Sequence, residues 1–297
     1  MSIRVSVAGY GNLGKALVRQ INADERFSLQ YVFSRRDIDL PCRRPFEQAA
    51  ELSEQTDVLL SALGSYEDIE QNMRHFAQYD TVDCFDRHDK IAEYRRLLNE
   101  VKPDKVSLFA VGWDPGILSV SRGLFGMLGR TATTWGRGQS MGHGNALRSI
   151  SGVLDAVQFT CPQPGCEQRF RGGQTTPRQL TKRICYVAAV ESDRQDIERA
   201  IRTMPDYFEG YDTEVHFVDK CTVKQLRTDL SHCGTVFGTG DGWKGNTTIS
   251  MTDNAEFTAK IMLACTLRIP QCKADGYKGA YSLFDLPLRY FVDESML

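Results

Sequence analysis

Three glycines near the N-terminus have the spacing of a phosphate-binding loop. They lie in the segment Gly9-Tyr10-Gly11-Asn12-Leu13-Gly14, which follows an apolar run and opens a stretch of helical periodicity. In such a loop the first glycine makes a tight turn, the second lets a pyrophosphate approach the backbone, and the third allows close helix–strand packing. The helix N-terminus adds unpaired N–H groups and a partial positive charge. The segment predicts a dinucleotide site, although a glycine turn without a ligand would have the same spacing.

The residues at the end of the second predicted strand indicate which dinucleotide binds. Proteins that bind NAD usually place Asp or Glu there to hold the ribose 2′-hydroxyl. This chain instead has Ser34-Arg35-Arg36. A 2′-phosphate suits that segment, because guanidinium groups pair bidentately with phosphate oxygens. The segment favours NADP, against the alternative of two solvated surface arginines with Asp37 beside them.

Two further segments carry carboxylates where predicted strands end. Asp83 and Asp86 follow one strand, and the segment Gly112-Trp113-Asp114-Pro115-Gly116 follows the next. Open α/β sheets bind ligands outside the carboxyl ends of their strands. Two carboxylates that face one crevice would hold a cation such as a substrate ammonium group. For a single Asp, a helix N-cap or a turn position is the competing interpretation.

Alternating strands and helices position these segments through residue 112. Strands are predicted at Ile3–Ala8, Leu29–Phe33, Asp57–Ala62, Thr81–Phe85 and Lys105–Val111. Helices are predicted at Leu13–Ile21, at Ile69–Tyr79 and along the face formed by Ile91, Tyr94, Leu97 and Leu98. This order predicts an α/β protein with a Rossmann-type doubly wound parallel sheet.

The pattern changes after Pro115 and predicts a second, α+β domain. Residues 136–144 are rich in glycine, and residues 161–177 form a polar connection. Strands are predicted at 184–190 and 214–218 with antiparallel potential, separated by a helix that Ser192 and Gln195 open as a capping box. We expect a dinucleotide-binding domain at 1–114 and a substrate-binding and association domain at 115–257. A helix at 258–267 would return the C-terminal segment 258–297 to the first domain.

Composition excludes several classes of protein. The 297 residues are 41% hydrophobic and 25% charged, with a net charge of -2, which is average for a globular protein and gives no basic face for nucleic acid. No apolar run is long enough to span a membrane, and the N-terminus lacks the basic region of a signal peptide. Nine cysteines without a Cys-x-x-Cys pair indicate free thiols in the cytoplasm and no structural metal site.

Taken together, these motifs resemble the meso-diaminopimelate dehydrogenases, NADP-dependent enzymes of bacterial lysine biosynthesis. The resemblance extends over nearly the whole chain. It rests on the glycine and arginine segments above, on Val82-Asp83-x-x-Asp86-x-His88, on 112–116, on Gly142-His143 and on Thr203-Met204-Pro205-Asp206-Tyr207-Phe208. It implies removal of a hydride from the D-configured α-carbon to NADP, followed by hydrolysis of the imine to L-2-amino-6-oxopimelate and ammonia. It also implies a homodimer.

The resemblance also implies roles for individual residues. Asp86 and Asp114 would flank the reacting amino group, and Trp135 would wall the pocket. Further substrate contacts would come from Ser140, Met141 and Gly142, and the distal L-centre would be held by Thr160, Arg183, His232 and Asn254. Besides the glycine loop and Ser34-Arg35-Arg36, cofactor contacts would come from Leu63, Gly64, Ser65, Cys84, Phe85, Gly112, Trp113, Asp114 and Pro115.

Each substrate residue also has an ordinary structural interpretation. Trp135 could be a core residue, Thr160 a solvent-facing strand residue and Arg183 a solvated charge beside Lys182. His232 could be a loop histidine, and Asn254 a turn former. No clear general base is visible, so most of the catalysis would come from orientation of the substrate against the nicotinamide.

Two other functions are compatible with the same motifs. One is another NADP oxidoreductase of similar plan, such as a dihydrodipicolinate-reductase-like enzyme, which would release no ammonia. The other is a redox sensor that binds NADP without catalysis, although the chain shows no partner-binding module such as a helix-turn-helix.

Overall fold

The structure is a computed structural model that describes residues 2–65, 68–205, 207–292 and 295. The strands are β1 (Ile3–Ala8), β2 (Phe27–Phe33), β3 (Arg43–Arg44), β4 (Val58–Ser61), β5 (Thr81–Asp83), β6 (Val106–Leu108), β7 (Arg130–Trp135), β8 (Gly138–Gln139), β9 (Val153–Pro162), β10 (Thr181–Ala189), β11 (Asp212–Phe217), β12 (His232–Gly240), β13 (Trp243–Met251) and β14 (Gly279–Tyr281). The α-helices are α1 (Asn12–Asn22), α2 (Asp68–Asn72), α3 (Ile91–Val101), α4 (Ile117–Leu128), α5 (Met141–Arg148), α6 (Cys166–Arg171), α7 (Pro177–Leu180), α8 (Arg194–Arg202), α9 (Lys220–Leu226), α10 (Asn254–Thr266) and α11 (Ile269–Ala274).

The chain forms two units. The first comprises Met1–Val120 and Ala255–Leu297, and the second comprises Ser121–Asn254. The first unit therefore extends to residue 120 rather than 114, and the C-terminal return begins at 255 rather than 258. The functions predicted for the two domains are taken up below as proposals.

A seven-stranded parallel sheet forms the centre of the first unit, in the order β14-β6-β5-β4-β1-β2-β3. β1 lies between β2 and β4, so the chain builds the sheet outward in one direction and then in the other. Such a reversal leaves a crevice at the carboxyl ends of the two central strands. The predicted Rossmann-type α/β fold with a second domain is confirmed.

Helix α1 packs on the sheet through the residues that gave it its predicted periodicity. Gly14, Leu17, Val18 and Ile21 are buried, at the i, i+3, i+4 and i+7 spacing of one helix face. Because the first residue of this set is a glycine, no side chain at that position holds the start of the helix away from the loop before it. This close approach sets the shape of the loop described below.

Two smaller sheets make up the second unit. One has the order β11-β10-β9-β8 and the other the order β13-β12-β7. β9 pairs with β10 along almost its whole length in antiparallel register, which sets Arg183 opposite Thr160. A separate apolar core lies around Leu147, Ile201 and Phe208 on one face of the larger sheet.

Several details of the second unit differ from the predictions. β10 and β11 pair in parallel, because α8 crosses between them as in a β–α–β unit. The capping box is wrong, since α8 begins at Arg194 after Asp193 and the Ser192 hydroxyl is bonded to the Asp193 carboxylate. The polar connection at 161–177 contains the helix α6. Asp206 of the 203–208 motif lies outside the described residues.

Within the part of the chain that the structure describes, no helix has both the length and the apolar character needed to cross a membrane.

Candidate functional site

The glycine loop between β1 and α1 has the geometry that the spacing predicted. Gly9 has a φ of +94°, and a Cβ there would lie 2.8 Å from the carbonyl oxygen of Ala62. At Gly14 a Cβ would lie 2.1 Å from the Gly9 carbonyl oxygen, so the helix and the loop touch backbone to backbone. A Cβ on Gly11, by contrast, would meet no atom of the described residues within 4 Å apart from its own chain neighbours. The middle glycine therefore leaves open space beside the N-terminus of α1, where a pyrophosphate could approach.

This loop forms one side of a cavity of about 240 Å³. The cavity is lined by Gly9, Tyr10, Gly11, Ser34, Arg35, Arg36, Phe46, Ala62, Leu63 and Asp68. All three residues of the Ser34-Arg35-Arg36 segment therefore reach the space beside the glycine loop. The remaining loop residues, Asn12 and Leu13, form the first turn of α1.

The side chains of this segment are held in different ways. Arg36 donates from Nη2 to the carbonyl oxygen of Tyr10 at 3.0 Å, and Arg35 forms an ion pair with Asp68 at 2.7 Å. Ser34 is buried, and its hydroxyl is bonded to the backbone N–H and carbonyl of Arg36. Ser34 therefore shapes the turn that presents the two arginines to the cavity.

The predicted cofactor contacts after β4 and β5 lie in two neighbouring loops. Leu63 and Gly64 follow β4, and the Ser65 hydroxyl accepts a hydrogen bond from the backbone N–H of Asp86 at 3.1 Å. Phe85 is buried and stacks on Tyr94, with 4.0 Å between the ring centroids. Burial raises the pKa of the Cys84 thiol, so this cysteine is not a reactive thiolate. The geometry joins the two loops, while a cofactor role for each residue stays a prediction.

Asp83 does not share a crevice with Asp86, and that part of the prediction is wrong. Its side chain is buried at 2% exposure. It accepts hydrogen bonds from the backbone N–H groups of Phe85 at 3.0 Å and Ala110 at 3.3 Å, and from the Tyr94 hydroxyl at 2.9 Å. Asp86, three residues on, is exposed. Asp83 therefore ties the starts of the loops after β5 and β6 to α3, and only Asp86 remains available to a ligand.

The segment that follows β6 is a closed turn. The backbone N–H of Gly112 donates to the carbonyl oxygen of Pro115 at 3.0 Å, and a Cβ on Gly116 would lie 1.8 Å from the Gly112 carbonyl oxygen. Trp113 is buried, whereas Asp114 is half-buried and accepts a hydrogen bond from the Ser119 hydroxyl at 3.2 Å. The turn therefore presents one oriented carboxylate.

Arg183 is a buried cation in the second unit. Its side chain is 9% exposed, its Nη1 donates to the Thr160 hydroxyl at 2.5 Å, and its guanidinium lies 4.3 Å from the ring centroid of Tyr211. No carboxylate of the described residues lies within ion-pair distance of it, and its Nε has no hydrogen-bond partner among them. Neither Arg183 nor the buried Thr160 is solvated, so their ordinary structural interpretations are wrong.

A polar group that includes residues missed from the sequence lies beside this arginine. Ser140 caps α5, and its Oγ lies 2.6 Å from Nδ1 of His143. Burial, and then the charge of Arg183, lowers the pKa of His143 to about 3, so the imidazole is neutral near pH 7. Gln158 is fully buried, its Nε2 donates to the Thr160 hydroxyl at 3.4 Å, and its Oε1 has no partner among the described residues.

The signal for His143 was present in the sequence, since Ser140 and His143 are one helical turn apart. Gln158 gave no such signal. It lies on β9, and its neighbours on β10 are known only once the pairing register of the two strands is known. Gly142 is exposed in the first turn of α5, next to Met141, whose side chain lies outside the described part of the chain.

The remaining predicted substrate residues lie at the ends of strands and at the start of a helix. Trp135 ends β7 and is half-buried, which excludes a full core role. The ring of His232 lies against Gly138, where a Cβ would be 2.2 Å from it, and Gly138 pairs with Thr160. Asn254 begins α10, and its backbone N–H donates to the carbonyl of Leu230 at 3.0 Å. The structure thus joins Arg183 and Thr160 directly and sets His232 one strand away.

The fold and the glycine loop define a dinucleotide-binding α/β protein. Its second unit contains a buried arginine that has no carboxylate partner among the described residues. Residues 112–260 match the family model of the diaminopimelic acid dehydrogenase C-terminal domain. The chain is 36% identical to a meso-diaminopimelate D-dehydrogenase of Corynebacterium glutamicum, over 96% of this chain and 94% of that protein. It is 34% identical to another from Ureibacillus thermosphaericus, with the same coverage of 96% and 94%.

Solved structures agree with these relatives. The structure of C. glutamicum DAP dehydrogenase in complex with DAP superimposes with a TM-score of 0.88 at 33% identity, covering 99% of this chain and 97% of that one. An engineered D-amino acid dehydrogenase bound to NADP+ superimposes with a TM-score of 0.84 at 33% identity and the same coverage of 99% and 97%. The chain belongs to the diaminopimelate dehydrogenase family and is an oxidoreductase, and the resemblance drawn from the sequence is confirmed.

Proposed function

We propose that this enzyme oxidises meso-2,6-diaminopimelate at its D-centre with NADP. Substrate, NADP+ and water give L-2-amino-6-oxopimelate, ammonia, NADPH and a proton, and the reaction is reversible. It belongs to lysine biosynthesis in the cytoplasm. The nine cysteines, all within the described residues, are free thiols, which supports a reducing compartment.

Arg183 carries the proposal. A buried guanidinium without a carboxylate partner is costly, because the charge has lost its hydration without compensation. A bidentate bond to a substrate carboxylate would compensate that charge and fix the direction of the carboxylate. The amide oxygen of Gln158, which has no partner among the described residues, suits the ammonium group on the same carbon. The Thr160 hydroxyl, which already accepts from Arg183 and Gln158, can donate to the carboxylate. We assign these groups, with His232 and Asn254, to the distal L-centre.

The residues of the first unit fit NADP. When bound, the cofactor supplies the acceptor for the hydride. The pyrophosphate would lie at Gly11, where the backbone leaves open space, and the 2′-phosphate at Arg35 and Arg36 in the same cavity. The nicotinamide side would be formed by Ser65, Phe85 and Pro115, in the loops that follow β4, β5 and β6. The other predicted cofactor contacts in these loops are Leu63, Gly64, Cys84, Gly112, Trp113 and Asp114.

Asp86 and Asp114 are the carboxylates that we assign to the reacting amino group. Both lie in loops at the carboxyl ends of neighbouring strands, and the Ser119 hydroxyl orients Asp114. An anionic carboxylate there orients the amine or the water that attacks the imine carbon. Ser140, Met141 and Gly142 would meet the substrate with the N-terminal turn of α5, where neutral His143 fixes the Ser140 hydroxyl. Trp135 would form an apolar wall.

The direct test is turnover of meso-diaminopimelate with NADP+, with NADPH followed by absorbance and ammonium measured separately. We expect one ammonium per NADPH, and much slower reaction with the LL isomer, which has no D-centre. The DD isomer and D-lysine test how strictly the distal L-amino-acid head is recognised. NADPH formation without ammonium would contradict the proposal, and so would the absence of turnover.

Replacement of both Arg35 and Arg36 by alanine is expected to raise the KM for NADP about a hundredfold and to change the KM for NAD little. Charge-assisted hydrogen bonds contribute about 1.5–3 kcal/mol each, and NAD has no group that would use them. Arg26→Ala, a substitution at the opposite end of β2, is the control for the loss of positive charge. Equal effects on the two cofactors would remove this pair from the 2′-phosphate site.

We also propose that the enzyme is a homodimer. Leu124, Met127 and Leu128 at the end of α4 are 50%, 81% and 66% exposed, and exposed apolar side chains this close together are typical of an interface. Light scattering at micromolar concentration is expected to give twice the chain mass of 33.5 kDa. A species of 33.5 kDa alone would contradict the proposal.

A further inference from the structure

The cavity that holds the arginine pair also holds a carboxylate. Asp68 begins α2 and lines the same space of about 240 Å³ as Arg35 and Arg36. Its Oδ1 lies 2.7 Å from Nη2 of Arg35, and the two side chains are 30% and 59% exposed. The charge that Arg35 offers to an anion is therefore partly balanced within the cavity itself.

Neighbouring groups hold this carboxylate in place. The side-chain amide of Asn72 donates to the Asp68 carbonyl oxygen at 2.7 Å and to Asp68 Oδ1 at 3.0 Å. Arg35 is also restrained, since its guanidinium lies 5.7 Å from the ring centroid of Phe46. These contacts thus hold the Asp68 carboxylate in one position in the cavity wall.

A carboxylate and a guanidinium in one ribose-phosphate cavity favour different dinucleotides. A carboxylate that lines this cavity can accept a hydrogen bond from the 2′-hydroxyl of NAD, as the acidic residue at the end of the second strand does in proteins that prefer NAD. It repels a 2′-phosphate, which carries a charge of about −1.5 to −2 near pH 7. The arginines, by contrast, attract the 2′-phosphate of NADP.

We infer that Asp68 is a specificity-determining residue that lowers the preference of this enzyme for NADP over NAD. The inference rests on the proposed function, because it places the ribose 2′-position in this cavity. Asp68 reduces the affinity for NADPH by repelling its 2′-phosphate and by competing for Arg35, and it supports the binding of NADH through the 2′-hydroxyl. Nothing in this role requires contact with the reacting atoms.

The test is direct binding of NADPH and NADH to the full-length enzyme, measured by fluorescence titration in the wild type and in Asp68→Asn. Asparagine keeps the size of the side chain and an acceptor for Asn72, so the start of α2 is preserved. One carboxylate about 6 Å from a phosphate in a water-like dielectric changes affinity roughly five- to tenfold by Coulomb's law. We expect the Kd for NADPH to fall by about that factor in Asp68→Asn, and the Kd for NADH to stay constant or to rise about threefold.

Asp24→Asn is the matched control. Asp24 pairs with Arg26 at 2.6 Å with side-chain exposures of 24% and 62%, close to those of Asp68 and Arg35, but it precedes β2 at the opposite end of that strand. The same charge is lost there, so both Kd values should change less than about twofold at 0.15 M salt.

The outcomes separate this inference from the proposed function. A wild type that binds NADPH no better than NADH contradicts the proposed cofactor. A wild type that prefers NADPH, together with an Asp68→Asn variant whose ratio of Kd values equals that of Asp24→Asn, overturns the role of Asp68 alone. Weaker NADPH binding in Asp68→Asn would also overturn it, since Asp68 would then orient Arg35 for the phosphate.

Discussion

Replacement of Arg183 by alanine is expected to lower kcat/KM for meso-diaminopimelate by two to three orders of magnitude and to leave the Kd for NADPH unchanged. Loss of one partner of a buried, hydrogen-bonded charge pair costs about 2–5 kcal/mol, and about 1.4 kcal/mol corresponds to a factor of ten. Arg183 is buried against Thr160 and Tyr211 in the second unit, whereas the cavity beside the glycine loop is formed by the first.

Two variants test whether the effect comes from the bidentate hydrogen-bond geometry of the guanidinium or from its positive charge alone. Arg183→Lys keeps the charge but not the bidentate geometry, so its activity should lie between the wild type and the alanine variant. Lys182→Ala removes the neighbouring cation, which pairs with Glu214, and should retain near-normal activity. Thermal unfolding of each variant shows whether the fold is retained.

The Arg183→Ala substitution should also change substrate preference. A site that pairs buried polar groups rejects analogues that leave those groups unpaired. Simple D-amino acids lack the distal carboxylate, so they lose nothing when the arginine is removed. The ratio of kcat/KM between meso-diaminopimelate and D-lysine should therefore fall in Arg183→Ala. Near-normal efficiency on meso-diaminopimelate would instead mean that the distal carboxylate binds elsewhere.

The second large effect is expected at the glycine loop, where two glycines of the same motif have different surroundings and different roles. Gly14→Ala should lower the free energy of unfolding by about 2–3 kcal/mol or more, because forced overpacking against backbone cannot be relieved by side-chain rotation. Its Cβ would lie 2.1 Å from the Gly9 carbonyl oxygen. A drop in the melting temperature of several degrees is the measurement.

Gly11→Ala should leave stability nearly unchanged and weaken NADPH binding at least about tenfold, because the methyl group occupies the space through which a pyrophosphate approaches. Beyond its chain neighbours, no atom in the described part of the chain lies within 4 Å of that position to resist the methyl group. The two variants are each other's controls. Normal NADPH affinity in Gly11→Ala would place the pyrophosphate elsewhere, and an unchanged melting temperature in Gly14→Ala would contradict the close approach of helix and loop.

Several elements of the first unit were predictable because their signals are local, whereas β3 and β14 were not predicted and α2 ends at Asn72 rather than at Tyr79. β1, the glycine loop and α1 occupy the predicted segments within one or two residues, since a strand, a tight turn and an amphipathic helix depend on side chains close in sequence. The arginines at the end of β2 follow from the same regularity. A parallel sheet brings the carboxyl ends of its strands to one edge, so their reach into the loop cavity could be expected before the structure was known.

The sequence by itself therefore determined the class of fold, the dinucleotide loop and the family. The tertiary structure decided which side chains meet. Asp83 ends β5 and Asp86 follows it by three residues, yet Asp83 is buried and Asp86 is exposed. The difference arises because α3 and the loop after β6 pack against Asp83. Arg183 and Thr160 meet through the register of β9 on β10, and Asp68 after β4 meets Arg35 after β2 across one intervening strand, β1. Such pairs are set by long-range packing and strand register, which neighbouring residues in the sequence do not encode.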